Sequence, residues 1–265
     1  MDQYRVFGNP IKQSRSPIIH QTFAQQTRQQ LNYKSEYVEI DQFEQTVKDF
    51  VKNGGKGANI TVPFKEQALT ICDQLTERAR LAGAVNTLSF VDGKILGDNT
   101  DGQGLVQDLL NNNVQLKNSR ILLLGAGGAA KGVILPLLAQ DPETIVIANR
   151  TISKAENLIN NFNNKKLSAL GFSELSDEKF DLIINATSAS LSGNIPPIAK
   201  ELLVNTYCYD MVYGKELTPF LQWAKDNGAK KVIDGLGMLV GQAAESFRIW
   251  RHVQPEVTSV LQKLR

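Results

Sequence analysis

The chain is poor in the residues on which most metal, redox and membrane functions draw. Its two cysteines, Cys72 and Cys208, are isolated, and no C-x-x-C spacing suggests a zinc or dithiol site. Both read as reduced, buried, small hydrophobes. Only two histidines are present, His20 and His252, and they are far apart in sequence, so a histidine-based metal centre has almost no raw material and none is expected. No segment approaches the roughly 20 consecutive apolar residues that span a bilayer. The stretch from Met1 to Pro17 mixes Asp2, Arg5, Lys12 and Arg15 with apolar residues and lacks the continuous core of a signal peptide. A cytoplasmic location without a membrane partner is therefore expected. Charge of one sign is lacking too: 29 Lys and Arg against 27 Asp and Glu leave a net charge of +2, which gives no electrostatic case for nucleic acid. Any anionic ligand must be met by local groups.

What is present is a long alternation of β-rich and helix-periodic segments. With 265 residues, 42% of them hydrophobic, the chain can bury two medium-sized cores. Strands are expected at Tyr4 to Gly8, Tyr33 to Ile40, Gly57 to Thr61 and Ala84 to Phe90. Between them lie helical stretches near Pro17 to Gln29, Phe43 to Asn53 (with Asp41 as N-cap) and Phe64 to Cys72. Val91-Asp92-Gly93-Lys94 turns the chain before Ile95 to Asn99, and Asp101 to Asn112 reads as a connecting helix. A second series of strands follows at Arg120 to Leu124, Thr144 to Ala148, Phe180 to Asn185, Thr206 to Asp210 and Lys231 to Asp234. Their near-continuous apolar character suits a parallel sheet buried on both faces. Met238 to Trp250 and Glu256 to Leu264 carry apolar residues at helical spacing. The fold class is α/β, with two domains, each built on a mostly parallel sheet.

One motif carries chemistry by itself. Ile121-Leu122-Leu123-Leu124-Gly125-Ala126-Gly127-Gly128-Ala129-Ala130 places G-x-G-x-x-A directly after a strand and at the opening of a helix, the context that marks a dinucleotide-binding turn. Gly125 permits the tight turn, Gly127 lets the backbone approach a pyrophosphate, and small Ala130 allows close helix-to-strand packing. The end of the next strand, where an NAD site keeps an acidic residue for the ribose 2′-hydroxyl, holds Asn149-Arg150-Thr151 instead. Arg150, with Lys154 one turn on, could clamp a 2′-phosphate, so NADP is the expected cofactor. The bland alternatives are a turn that binds nothing and two ordinary surface cations.

A second set of short polar groups falls where ligands sit in open sheets, beyond the carboxyl ends of strands. Ser14 and Ser16 follow the first strand, Asn59 and Thr61 close the third, Lys65 follows at a helix start, and Asn86 and Asp98-Asn99-Thr100-Asp101 could converge there. Singly, each has a structural explanation: Ser16 as a helix cap, Asn59 and Thr61 as loop pins, Lys65 as a solvated cation.

Together the segments resemble a known family. Gly8 to Pro17 (GNPIKQSRSP), Asn59 to Lys65 (NITVPFK), Ala84 to Leu88 (AVNTL), Asp98 to Gly102 (DNTDG), Gly125 to Ala130 (GAGGAA), Asn149 to Thr151 (NRT), Asn185 to Ser188 (NATS) and Asp234 to Ala244 (DGLGMLVGQAA) are similar, in order and over essentially the whole chain, to shikimate dehydrogenases. The resemblance implies reversible, NADPH-dependent reduction of 3-dehydroshikimate to shikimate, with an NAD-preferring quinate/shikimate dehydrogenase or a non-catalytic NADPH-binding regulator as the alternatives; a monomer or homodimer is expected. It implies a substrate domain of residues 1–101, completed by C-terminal helices in 238–265, and a Rossmann-type doubly wound NADP-binding domain over 102–237. By matching position, Ser14, Ser16, Asn59, Thr61, Asn86, Asp101 and Gln242 would hold the substrate, with Lys65 as acid/base and Asp101 as its partner. Tyr213, Gly235 and Met238 would lie near the nicotinamide and the ring it meets, Tyr213 counting among the substrate-binding residues. Gly125, Ala126, Gly127, Gly128, Ala129, Asn149, Arg150, Thr151, Lys154, Thr187, Ser188 and Met211 would meet the rest of the cofactor. Ser190 stands where the family commonly has glycine, and Gly214-Lys215 lacks a proline often found after the position of Tyr213.

Overall fold

The computed structural model describes residues 1–175 and 178–265, which divide into two compact units: Met1–Gly104 with Val240–Arg265, and Leu105–Leu239. The chain passes from one unit to the other within two helices, α4 (Asp101–Asn111) and α8 (Leu236–Arg251). Among the described residues no helix is long and apolar enough to cross a membrane.

The first unit is a six-stranded sheet in the order β2-β1-β3-β5-β6-β4. Strands β1 (Asp2–Gly8), β2 (Leu31–Tyr37) and β3 (Gly55–Ile60) run parallel, as helical crossovers α1 (Ser16–Gln26) and α2 (Phe43–Lys52) require. The hairpin β5 (Thr87–Val91) and β6 (Lys94–Asp98) pairs antiparallel with β3 through β5, and β4 (Gln74–Leu75) adds to β6 in parallel. One consequence matters for the site. Because β5 is reversed, its beginning lies beside the ends of β3 and β6, with Asn59 opposite Thr87 and Thr87 opposite Asp98. The core beneath holds Phe7, Val38, Val47, Ile60 and Leu88, with Phe43 stacked on Phe64 at 4.7 Å between ring centroids.

Several local expectations are revised here. Phe64 to Cys72 forms a 3-10 helix over Gln67–Ile71 rather than an α-helix, and it is followed by β4 and by α3 (Glu77–Ala82), which the sequence pattern did not reveal. Helix α3 is short enough that its signal was its ends: Thr76 accepts from the Ala79 amide as N-cap, and Gly83 closes it in the left-handed region. Asp41 is not the cap of α2, a place taken by Gln42 without a side-chain bond, and Ser16 is the first residue of α1 rather than its cap. Residues 84–86 are loop, so the expected strand at Ala84 begins only at Thr87. Cys208 is buried as expected, whereas Cys72 is half-buried; burial pushes both thiols up to about 12, so both are unreactive near neutrality.

The second unit is a six-stranded, all-parallel sheet in the order β12-β11-β10-β7-β8-β9. Its strands are β7 (Arg120–Leu124), β8 (Thr144–Ala148), β9 (Leu167–Leu170), β10 (Leu182–Asn185), β11 (Tyr207–Asp210) and β12 (Lys231–Asp234). Helices α5 (Gly128–Leu138), α6 (Ile152–Asn160) and α7 (Pro219–Asp226) supply crossovers. The order is that of a dinucleotide-binding doubly wound sheet, and the α/β expectation holds. Side chains of alternate parity enter opposite cores: Ile121, Leu123, Ile145 and Ile147 on one face, Leu122, Leu124, Val146 and Ala148 on the other. That double burial is the physical reason for the unbroken apolar runs. The strand β9 escaped sequence reading because it is a four-residue edge strand with only Leu167 buried. The direction of winding reverses between β7 and β10, which are neighbours in the sheet. The loops that leave their carboxyl ends diverge, the usual origin of a binding crevice in such sheets. Helix α9 (Thr258–Leu264) ends the chain in the first unit.

Candidate functional site

In the first unit, the end of β3, the start of β5, the end of β6 and helix α8 contribute polar side chains to one hydrogen-bonded assembly. Lys65 Nζ donates to Asp101 Oδ2 at 2.6 Å, and the two side chains keep 31% and 20% of their exposure, so the pair is reachable from solvent. The other Asp101 oxygen accepts from Asn86 Nδ2 at 2.8 Å, and the same amide also approaches Gln242 Oε1 at 3.3 Å. Asn86 is buried, and its side-chain oxygen accepts from the Thr100 amide at 2.9 Å and the Thr87 hydroxyl at 2.8 Å. Asn59, buried as well, donates to Ser246 Oγ at 3.0 Å and to the Asn86 backbone carbonyl at 3.1 Å, while accepting from the Tyr33 hydroxyl at 2.7 Å. Ser16 sits beside that same Tyr33 hydroxyl.

Sequence reasoning thus named six residues that the structure joins: Asn59, Lys65, Asn86, Thr100, Asp101 and Gln242. Ser14 and Ser16 make the turn into α1, where the Ser16 amide donates to Ser14 Oγ at 3.3 Å. Thr61 caps the turn after β3, its amide donating to the Phe7 carbonyl at 3.0 Å and its carbonyl accepting from the Phe64 amide at 3.0 Å. The reading missed Ser246 and Thr87. Ser246 has no exposed surface and bonds Asn59, Thr87 and Thr100, with distances of 3.0, 2.8 and 3.2 Å. A signal existed, since Ser246 lies one helical turn beyond Gln242 on the same face. A rigid, hydrogen-bonded base of this kind lets one partly exposed ammonium be held at a fixed place. It can deliver a proton to an oxygen on which negative charge develops.

In the second unit, the loops after β7, β8, β10 and β11 line a cavity of about 840 Å³. Gly125, Ala126, Gly127, Gly128 and Ala129 form one wall, Asn149 and Arg150 another, and Thr187, Ser188 and Met211 a third. Gly125 has φ +103°, and a Cβ there would lie 3.1 Å from the Thr187 methyl, so glycine answers both the turn and the close neighbour. The amides opening α5 follow without a side-chain cap, leaving donors for an anion at the positive end of the helix. Arg150 is exposed and in none of the ion pairs formed among the described residues, and exposed Lys154 follows it in the first turn of α6. Asn149 Nδ2 donates to the Thr151 carbonyl at 2.8 Å, which fixes the turn that presents Arg150. These features fit a dinucleotide carrying an extra phosphate.

Thr151, Lys154, Tyr213, Gly235 and Met238 lie outside the lining of that cavity. Gly235 has a definite steric role, because a Cβ there would come within 2.2 Å of the Met211 carbonyl oxygen. The sequence reading did not anticipate the apolar side of the cavity, formed by Phe172, Leu191, Ile195 and Pro196. No motif announces it, since these residues are apolar, scattered and brought in by irregular segments.

With that geometry in view, comparison with known proteins is direct. Residues 6–88 match the family model for the shikimate dehydrogenase substrate binding domain, residues 105–194 that for shikimate / quinate 5-dehydrogenase, and residues 235–265 that for the shikimate 5′-dehydrogenase C-terminal domain. A shikimate dehydrogenase (NADP(+)) from Colwellia psychrerythraea is 65% identical over 265 residues, covering 100% of this chain and 96% of the relative. Among solved structures, an Ael1 enzyme from Pseudomonas putida superposes with a TM-score of 0.98 at 45% identity, covering 100% of this chain and 98% of the other. Shikimate 5-dehydrogenase from Thermus thermophilus in complex with NADP(H) and shikimate gives 0.88 at 30% identity, covering 99% and 98%. Sequence matches spanning both units, and structures matching over the full length, place the chain in the shikimate dehydrogenase family.

Proposed function

We propose that the protein catalyses the reversible, NADPH-dependent reduction of 3-dehydroshikimate to shikimate. The observation that carries this reading is the Lys65–Asp101 pair, at 2.6 Å and open to solvent, on a buried polar base. NADPH, when bound, supplies the hydride to the carbonyl carbon. The chain's residues do the remainder. As the carbonyl oxygen gains negative charge, the Lys65 ammonium stabilises it and gives up a proton from Nζ. In the reverse direction Lys65 takes that proton from the hydroxyl. Asp101 holds the ammonium in orientation, and Asn86, bonded to the second Asp101 oxygen, keeps the carboxylate from turning away. Ser14, Ser16, Asn59, Thr61 and Gln242 hold the ring hydroxyls and carboxylate of the substrate. Gly125 to Ala129 take the pyrophosphate against the start of α5, and Arg150 with Lys154 takes the 2′-phosphate.

The test is spectrophotometric. Purified protein is given shikimate or quinate with NADP or NAD, and formation of reduced cofactor is followed. Shikimate with NADP should give the highest kcat/KM. Quinate with NAD as the better pair would contradict both the substrate and the phosphate clamp.

A further inference from the structure

We infer that Ser190, acting through the buried carboxylate of Asp210, is a positioning residue for the dinucleotide site, tying the loop after β10 to the loop after β11. Asp210 ends β11 in register with Asn185 at the end of β10, and it has no exposed surface. It belongs to none of the ion pairs formed among the described residues. Neutral donors surround it instead: Oδ2 accepts from Ser190 Oγ and from Thr218 Oγ1, both at 2.6 Å, and Oδ1 accepts from the Val212 amide at 3.1 Å and Asn185 Nδ2 at 3.3 Å. A buried carboxylate requires such bonds, because an unmet one carries a large desolvation cost. Three of the four donors belong to irregular backbone or its edge, so the need of the carboxylate becomes a constraint on both loops.

Those loops border the cavity. Thr187 is reached through Asn185, whose Oδ1 accepts from the Thr187 amide at 3.1 Å and hydroxyl at 2.7 Å, and Met211 and Val212 line the cavity immediately after Asp210. The outer part of the first loop, a 3-10 turn over Ala189–Ser192, is bonded mostly within itself, with Ser188 exposed and Leu191 74% exposed, so the Ser190 hydroxyl is the side-chain tie from that turn to the end of β11. Thr218 also caps α7, accepting from the Leu221 amide at 3.3 Å, so its loss would disturb a helix. The Ser190 hydroxyl has no such second duty: it accepts from Asn185 Nδ2 at 3.3 Å within the same cluster. Replacing it therefore tests the link alone.

The inference rests on the dinucleotide reading of this cavity, and the experiment separates the two. Binding of NADPH to wild type and Ser190→Ala is titrated by cofactor fluorescence without substrate, and steady-state constants are then measured with NADP and shikimate. Ser190→Ala should raise Kd for NADPH and KM for NADP by about tenfold, the scale of one lost hydrogen bond to a charged group, with KM for shikimate within about twofold of wild type. Unchanged cofactor constants in Ser190→Ala, even with a lowered melting temperature, would make the cluster structural only and overturn the inference. Equal rises in KM for both substrates would overturn it too. Wild-type protein that bound NADPH but did not oxidise shikimate would sink the proposed activity and leave the binding comparison intact.

Discussion

His20 should make the first unit lose stability between pH 6.5 and 5, in a window where few other groups titrate. The ring has no exposed surface and stacks on Tyr33 at 4.1 Å between centroids, with Phe23, Phe247 and Trp250 around it. Neither ring nitrogen has a hydrogen-bond partner. Burial, opposed by the nearby Asn59 side chain, lowers its pKa from 6.5 to about 3. The unfolded chain therefore binds a proton at this position below pH 6.5 while the folded chain does not, so stability rises with pH across the window and falls on acidification. The slope is about 1.4 kcal/mol per pH unit, giving about 2 kcal/mol lost by pH 5. The carboxylates of the first unit with depressed pKa, Asp2, Asp98, Glu245 and Glu256, act lower, since their stabilisation is complete above their unfolded values near 4. His20→Phe keeps an aromatic ring in an aromatic setting and removes the titration. Urea unfolding can be followed by Trp250, 5.4 Å from His20, in a Trp223→Phe background at pH 8, 6.5 and 5. The difference in stability between His20→Phe and its parent should move by about 2 kcal/mol in favour of phenylalanine between pH 8 and pH 5. Parallel stability curves would refute a buried neutral imidazole.

Three further outcomes are expected. Arg150→Ala should raise KM for NADPH by about 10- to 100-fold while leaving NADH within a few-fold, as a clamp on the 2′-phosphate requires; equal effects on both cofactors would remove the clamp. Arg78 donates to both oxygens of Asp98, at 2.6 and 2.7 Å, and to Glu245 at 3.0 Å, all partly buried; Arg78→Met leaves Asp98 without a cation, while Glu245 keeps Arg248 at 2.7 Å, and should cost about 3 kcal/mol of stability in urea titration. Gly235→Ala pushes a methyl into the Met211 carbonyl and should cost about 1–3 kcal/mol and weaken NADP binding, both readable from a thermal melt with and without cofactor.

Much of this molecule was legible in its residues, for reasons that differ by element. The second sheet announced itself because its strands are buried on both faces and the G-x-G-x-x-A turn follows the first of them. The polar groups at Asn59, Lys65, Asn86 and Asp101 were readable as a set because sheet ends collect ligands. Gln242 came from the family resemblance rather than from pattern, and although Ser246 lies one turn beyond it on the same face, which partners they meet was not readable, since the bonds from α8 to Asn59 and Asn86 span more than 150 residues of sequence. Periodicity reports which face of a helix is buried, not what it meets. Short elements failed for a related reason. Strand β4 has two residues and α3 six, too few for a period to show, and only the end residues of α3, Thr76 and Gly83, marked it. The apolar side of the dinucleotide cavity, made by Phe172, Leu191, Ile195 and Pro196, comes from short 3-10 turns and loop that no repeat describes.

The central claim is that the Lys65 ammonium exchanges a proton with the oxygen being reduced or oxidised. Its most direct test is the turnover of Lys65→Ala with saturating shikimate and NADP, beside an NADPH titration of the same variant. The account predicts kcat lower by about 10²- to 10⁴-fold, with Kd for NADPH within a few-fold of wild type. Turnover at the wild-type rate would contradict it.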